Sequence, residues 1–351
     1  MKYLGIKLKP KSSLHLGQRE NWLEGSLPFV HSDTLFSALC HCYLLLYGSL
    51  DDFMKKFFPE RPNPDPPFLI SSAFPYKEND LFFPLPANQV IPADLDLELI
   101  KKLKKIKYVN FNLLRRLLNG EKLSNLIDEV ETSIDLKTFP PIQQKPRNKQ
   151  NSQTALDELL NQPDEIYKVE DVPRIALNPL TNHPGENYFH FGQVTYSKDC
   201  GLFLLIKIND QAWENTLKAL FRLLADEGIG GDRTCGKGLF YQPEFFVPEI
   251  PEIENPDGLY ALSVYFPHPS ELSGLEKSFY ELEERRGYVF SPVNRSLRRR
   301  SIRVLKEGSV LLNNVKRVGT LADVTPETPP LPHRVYRYGY LFTLPCKLEA
   351  T

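Results

Sequence analysis

Residues 213–247 read WENTLKALFRLLADEGIGGDRTCGKGLFYQPEFFV. Trp213, Leu217, Leu220, Phe221 and Leu224 recur at helical spacing and form one apolar face, and Gly228 closes the helix. A glycine-rich loop follows, and the strand LFYQPEFFV ends the segment. Gly228, Gly230, Gly231, Gly236 and Gly238 fall within eleven residues, interleaved with Arg233, Thr234 and Lys237. Such glycines let a backbone approach a phosphate and expose several N–H donors at once, and the two cations add fixed charge. Gly231 to Lys237 satisfies GxxxxGK, but Gly238 stands where a nucleotide-binding loop needs a hydroxyl for Mg²⁺. The order helix, loop, strand is also the reverse of that motif, which argues against nucleotide hydrolysis. Two readings stay open: a ligand-free turn, or a backbone cradle for RNA phosphates.

Working outward, YLGIKLK (3–9) alternates as a strand, and SDTLFSALCHCYLLLYG (32–48) reads as a buried helix with Ser32 as N-cap and Gly48 as its stop. FLISSAFPY (68–76) and LFFPLP (81–86) read as two short strands joined by the turn KEND. Residues 94–137 read as amphipathic, cation-rich helical pieces, and 140–154 as a mobile polar loop. PRIAL, the turn NHPGEN and FHFGQVTY read as a hairpin, and GLFLLIKI (201–208) as a buried strand. Residues 1–248 therefore follow strand, helix, two strands, insertion, strand, helix, strand, five strands that contain a ferredoxin-like βαββαβ unit with a large insertion at about 94–192. The same topology serves RNA-recognition domains. The acidic, Pro-rich run PEIPEIENPDG (248–258) is the candidate linker to a smaller β-rich domain, 249–351.

The chain of 351 residues carries 43 Lys+Arg against 44 Asp+Glu, with 41% hydrophobic residues, which suits a folded protein of two domains. The net charge of −1 is a cancellation: residues 95–150 hold 12 cations against 7 acids, and 285–306 hold eight cations and no acid. Residues 244–257 hold five acids and no base. The near-zero sum therefore does not argue against a polyanionic partner. Thirty prolines imply rigid connections rather than long helices. Five cysteines without paired spacing argue against a disulfide framework and for a reducing cytoplasm. No targeting segment or membrane span is legible.

A second candidate segment is ERRGYVFSPVNRSLRRRSIRVLK (284–306), where Arg295, Arg298, Arg299 and Arg300 cluster and Tyr288 and Phe290 are interleaved. Cations with aromatics suit single-stranded RNA and stacked bases, and a solvated basic face or a contact to an acidic subunit reads equally well. The third is His31-Ser32-Asp33-Thr34, whose helix N-terminus offers N–H groups to a phosphate while Asp33 opposes one. Cys40-His41-Cys42 resembles a ligand set, but i,i+2 residues on a helix face apart, which favours core packing over metal. His15 and His31 form a conceivable acid–base pair for RNA cleavage, without telling spacing. His183 and His190 flank the hairpin turn.

HSDTLFSALC, FLISSAFP, FFPLP, PRIAL and GIGGDRTCGKGLF, followed by RRGYVFS, EGSVL, GTLADVTPE and HRVYRYGYLFTLP, resemble the RAMP superfamily of CRISPR proteins. Within it they are most similar to the family of the fourth subunit of the Csm (type III-A) effector complex. The resemblance spans nearly the whole chain. It implies an α+β fold of two ferredoxin-like (RRM/RAMP-type) domains, the first with a large insertion and a β-hairpin thumb. It implies a non-catalytic, antiviral subunit without metal or cofactor, gripping the 5′ repeat-derived handle of crRNA. It further implies docking onto the large polymerase-type subunit and a place beside the backbone RAMP subunit that cleaves target RNA. By carry-over, Ser32, Thr34, Arg174 at the thumb, Arg233, Thr234 and Lys237 would contact RNA. The loop glycines, Lys145 and Arg147 of the polar loop, and the arginines of 295–300 complete the expected surface. Asn178-Pro179 and the Gln/Asn-rich stretch 141–156 depart from the pattern. The competing expectation is a RAMP endoribonuclease that processes precursor crRNA through His15 or His31 without metal.

Overall fold

The structure is a computed structural model that describes residues 2–17, 25–58, 66–89, 100, 103–104, 106–123, 166–175, 177, 180–181, 188–291, 297–329 and 331–348. The polar loop 140–154 with Lys145 and Arg147, Asn178-Pro179, the turn 182–187 with His183, and Arg295 lie outside the described residues.

The strand β8 (Cys200–Ile208) organises the first half. Its residues are buried except Lys207, as a nearly unbroken apolar run requires of a strand covered on both faces. Around it runs an antiparallel sheet in the order β5 (Tyr108–Asn110), β4 (Asp80–Pro84), β3 (Phe74–Lys77), β8, β1 (Lys2–Leu8), β9 (Glu244–Phe246), with β2 (Phe68–Ile70) also on β8. Alternation along β8 divides its side chains between two cores. Leu202, Leu204 and Ile206 pack with α1 (Ser32–Tyr47) and α4 (Trp213–Glu227), while Phe203 and Leu205 pack with Tyr260, Val310, Phe342 and Leu344 of the second half. The small sheet β13 (Val310–Leu312), β10 (Gly258–Ala261), β16 (Thr343–Cys346) thus shares a core with the large sheet, opposite the helices. A short α2 (Asp51–Lys55) and α3 (Phe111–Leu118) complete the described α-helices of at least five residues.

The expected α1 and α4 form, and Gly48 ends α1 at φ 76°, the left-handed conformation that suits glycine. Two readings of local pattern change. FLISSAFPY is two strands, not one: the Ser71 hydroxyl accepts from Leu205 N, and Ser72 N turns to Leu262 O, so two serines satisfy the ladder where it breaks. Tyr108–Asn110, within the cation-rich stretch, is a strand on β4 rather than helix, because Val109 and Phe83 face the second core. Residues 247–257 join the halves without regular structure, and Ile250 and Ile253 lean on the shared core. All five cysteines are free thiols. No described helix is long and apolar enough to cross a membrane.

The ribbon of β6 (Tyr167–Ile175) and β7 (Tyr188–Tyr196) stands apart as its own two-stranded sheet, paired over nine positions. Leu14 and Val194 exchange two backbone hydrogen bonds of 2.8 Å and fasten it to the body beside the glycine-rich loop. The second half adds two further ribbons: β11 (Leu282–Arg285) with β12 (Ile302–Leu305), and β14 (Ala322–Asp323) with β15 (Tyr336–Arg337).

Candidate nucleic-acid interface

The glycine-rich loop leaves α4 and folds back on itself. Ile229 N donates to Gly238 O (3.0 Å), Gly231 N to His15 O (2.9 Å) and Gly238 N to Ser13 O (2.9 Å). A side chain at Gly230 (φ +93°) would collide with the His15 carbonyl, and one at Gly238 (φ +77°) with the Ile229 carbonyl, so glycine here serves close backbone packing. Gly228, Cys235, Gly236 and Lys237 also spend their amides inside the protein. The expected array of free N–H donors is therefore much reduced, and the charge of the site comes from side chains.

Those side chains converge on one ring. Phe191 of β7 has the Arg174 guanidinium from β6 and the Lys237 ammonium from the loop each 4.6 Å from its centroid. The His15 ring lies 4.0 Å away, with Nδ1 2.6 Å from the Gly192 carbonyl. Arg174 pairs with Asp232 at 2.6 Å, and Lys237 donates to Gln193 Oε1 at 2.7 Å, which also accepts from Ser13 Oγ. Burial lowers the Lys237 pKa, Arg174 adds to the effect and Asp232 opposes it. Burial likewise lowers the His15 pKa, which favours the neutral ring, against the Gly192 hydrogen bond. Two cations face one acid, so the cluster carries a surplus positive charge at the junction of ribbon and loop. Thr234 and Gly236 are exposed beside it. The structure thus unites Arg174 and Lys237, 63 residues apart in sequence, and adds Phe191, Gln193 and Asp232, which local reading did not single out. It also brings in His15, expected only as half of an acid–base pair. The one available signal was Phe191 and Gln193 at i,i+2, on one face of a strand.

The start of α1 is different. Ser32 is fully buried: its Oγ accepts from Val264 N at 3.1 Å, and its amide donates to Ser72 Oγ. His31 rather than Ser32 occupies the N-cap position. Asp33, also buried, accepts from Arg285 (Nε 3.0 Å, Nη2 2.9 Å) and from Arg337 Nη1. Burial would raise the Asp33 pKa, but the two guanidiniums hold it well below the usual carboxylate range. Half-buried Thr34 accepts from Arg285 at 3.4 Å. The helix N-terminus expected to meet a phosphate is closed by this ion pair. Beside it the His31 Nδ1 lies 2.9 Å from Glu307 and Nε2 3.3 Å from Glu283. Burial works against the charged ring, but Glu307 above all, with Glu283 beside it, raises its pKa to about 9. The donors of His31, Glu283 and Glu307 lie within 4.8 Å of one another. Yet the carboxylates sit at opposite ring nitrogens, Glu307 as a hydrogen-bond partner and Glu283 as a charge neighbour, the arrangement of an imidazolium between two acids rather than of three ligands around one ion.

The run 285–306 is less cationic in space than in sequence. Arg285 belongs to Asp33, Arg286 meets Glu284 at 2.8 Å, Arg300 meets Asp323 and Glu327 at 3.7 and 3.8 Å, and Lys306 meets Glu281 at 3.4 Å. Arg299 donates to Tyr288 O, and burial next to Arg337 pushes its pKa down to about 10. Arg298 lies over Tyr288 at 5.8 Å, and Arg233 of the glycine-rich loop over Phe290 at 5.0 Å. Around His41 there is packing instead of a ligand set: its ring meets Phe290 edge-on, and burial raises the thiol pKa of Cys40 and of Cys42, the latter to about 12.

Known proteins share both the sequence pattern and the fold. Residues 7–241 match the RAMP superfamily, and residues 254–346 match the CRISPR Csm4 C-terminal domain. A protein of Methanocaldococcus jannaschii named CRISPR system Cms protein Csm4 is 25% identical, with 98% of this chain and 97% of that protein covered. A protein of the same name from Thermococcus onnurineus is 23% identical over 99% of this chain and 98% of its own. Among solved structures, a Csm3–Csm4 subcomplex of the type III-A CRISPR-Cas interference complex matches at TM-score 0.60 and 19% identity, covering 98% of this chain and 99% of that one. A Csm1–Csm4 cassette in complex with AMPPNP matches at 0.56 and 17%, covering 99% and 98%. These two share the fold of this chain.

Proposed function

The chain belongs to the RAMP superfamily, and from that premise we propose that it is a non-catalytic RNA-binding subunit of a type III CRISPR effector. It grips the 5′ handle of crRNA, docks onto a large polymerase-type subunit and neighbours the backbone RAMP subunit, and it meets target RNA only indirectly, in antiviral defence. The relatives named Csm4, and the solved pairings of Csm4 with Csm1 and Csm3, support the choice of partners. In this reading residues 1–248 and 249–351 are two ferredoxin-like domains, the second degenerate. The order β3–β8–β1–β9 with α1 and α4 on one face follows the βαββαβ unit. The β6–β7 ribbon is the thumb.

The observation that carries the reading is the surplus positive charge where ribbon and loop meet, with Arg174 and Lys237 on opposite elements around Phe191. Lys237 has protons beyond the one given to Gln193, and a phosphate would satisfy them. The histidines speak for holding rather than cutting. His31 is 2% exposed and His15 8%, and each has a ring nitrogen engaged by protein oxygen.

In the assembled complex, replacing Arg174 and Lys237 with Ala should weaken retention of handle RNA. The slope of log K against log salt should fall by about 0.7 for each single-strand phosphate that is no longer neutralised. Unchanged retention and slope would remove the site. Metal-independent cleavage of labelled repeat RNA, abolished by His15→Ala, would replace the binding role with an enzymatic one.

A further inference from the structure

We infer that Tyr288 and Phe290 form a nucleobase-stacking platform for single-stranded RNA, continuous with the glycine-rich loop. This rests on the RNA-binding reading above and adds to it a place for bases rather than phosphates. The two rings lie on a short extended strip closed by Val289 N→Leu297 O and Arg299 N→Gly287 O, both 2.8 Å, and by a bridge between Tyr288 and Arg298. Val289, 2% exposed, anchors the strip in the body. Successive side chains of extended backbone point to opposite faces, so Tyr288 and Phe290 share the outward one. Each keeps 48% of its surface exposed.

Each ring is also matched with a guanidinium: Arg298 over Tyr288 at 5.8 Å, and Arg233 over Phe290 at 5.0 Å, while His41 supports Phe290 edge-on at 5.0 Å. Arg233 belongs to the glycine-rich loop, and its hydrogen bond at 3.4 Å is to the Glu227 backbone carbonyl, not to a carboxylate. Glu227 itself faces His41 at 3.7 Å. A ring–guanidinium pair presents a flat cationic surface, which attracts a base by stacking and its phosphate by charge. An apolar protein partner would not call for the two arginines. Phe191 differs: it is 6% exposed and covered by His15, Arg174 and Lys237, so it organises charges and leaves no face for a base. The phosphate surface and the stacking surface are thus separate aromatic sites, joined through residues 233–237.

The test uses the full chain and the assembled complex with single-stranded handle RNA carrying 2-aminopurine at successive positions. Tyr288→Ala and Phe290→Ala should each lower affinity by about tenfold, relieve quenching at one or two positions and leave the salt slope unchanged, because stacking releases no counterions. Phe290→Leu keeps apolar bulk without a π-face and should behave like Phe290→Ala, whereas Phe290→Trp should restore binding. An abasic site at the responsive position should erase the difference between wild type and variant. Wild-type affinity and quenching in the Ala and Leu variants, with Arg174→Ala or Lys237→Ala still weakening binding, would overturn the stacking platform and leave the RNA reading intact. Loss of a protein subunit from the complex with RNA affinity unchanged would overturn it in favour of a protein contact. If the wild-type complex holds no RNA, both readings fall together.

Discussion

Two clusters in this molecule are built from nearly the same side chains and stand in opposite relation to solvent. At the start of α1, His31, Asp33, Glu283, Arg285, Glu307 and Arg337 join the first half of the chain to the second. With His31 protonated, three cations meet three acids and the set is closed in charge, although His31 Nε2, Glu307 Oε2 and Arg337 Nε have no hydrogen-bond partner among the described residues. At the glycine-rich loop, Arg174 and Lys237 meet Asp232 beside a His15 that burial keeps neutral, and one positive charge is left over. A balanced cluster in the interior is structure. An unbalanced cluster at the junction of two elements is a place for a ligand of the missing sign. Buried charge is costly unless paired, so a charge surplus at this junction suits the anionic ligand proposed above.

The sharpest way to break the comparison is to unbalance the closed cluster. Asp33→Asn keeps the shape and leaves the Arg285 and Arg337 guanidiniums, 11% and 4% exposed, without their shared carboxylate. Removing one partner of a buried ion pair costs about 3–5 kcal/mol, and denaturant unfolding should show a loss of that order. A loss under about 1 kcal/mol, the range of exposed pairs, would mean that the cluster is not closed.

Alkali should open the same cluster more gently. The folded-state pKa of His31 is raised to about 9 against an ordinary 6.5, so its contribution is fully present below about pH 6.5 and fades as pH rises through about 9. On the acid side, burial would raise the Glu283 pKa, but His31 and Arg285 lower it to about 2. That contribution is present above about pH 4.5 and is lost as pH falls toward 2. The melting temperature should therefore drop between pH 7 and pH 10, and His31→Gln should remove most of the alkaline part of that drop. An identical profile in His31→Gln would assign the drop to other groups.

The two clusters also mark where reading the sequence succeeds and where it stops. Elements defined by a local period are legible: the unbroken apolar run of β8, the single apolar stripe of α4, and Gly48 as the end of α1. The ordered glycines and cations of 228–238 point to the loop that holds half of the candidate site. What fails is anything decided by a distant partner. Asp33 reads as a residue that opposes a phosphate, but its arginines come from 252 and 304 residues further on. The run 285–306 reads as eight cations without an acid, because Asp33 and Asp323, which meet Arg285 and Arg300, belong to other segments, and Glu281 and Glu284 stand just before it. Phe191 reads as one more aromatic in a strand until the fold brings two cations and a histidine to its ring. The split at Ser71–Ser72 was hidden for a related reason, since Ser72 bonds to Leu262 in the other half.

The smallest expected effect is the most discriminating, because it makes in the open cluster the same chemical change that damages the closed one. Asp232 sits in the left-handed region at φ 58°, where asparagine is among the residues that fit best, so Asp232→Asn should leave the backbone undisturbed. Its pair with Arg174 is partly solvated, with side chains 28% and 23% exposed, and such a pair contributes about 0.2–1 kcal/mol to stability. Unfolding free energy should therefore scarcely move. RNA affinity should rise, since Arg174 is released and the surplus grows by one charge; on the same energy scale the gain at low salt is roughly two- to fivefold, fading as salt screens it. Asp33→Asn would thus cost stability, whereas Asp232→Asn would strengthen binding. If Asp232→Asn instead weakens RNA binding, its carboxylate positions Arg174 for the ligand rather than competing with it, and the surplus charge is not what draws the RNA.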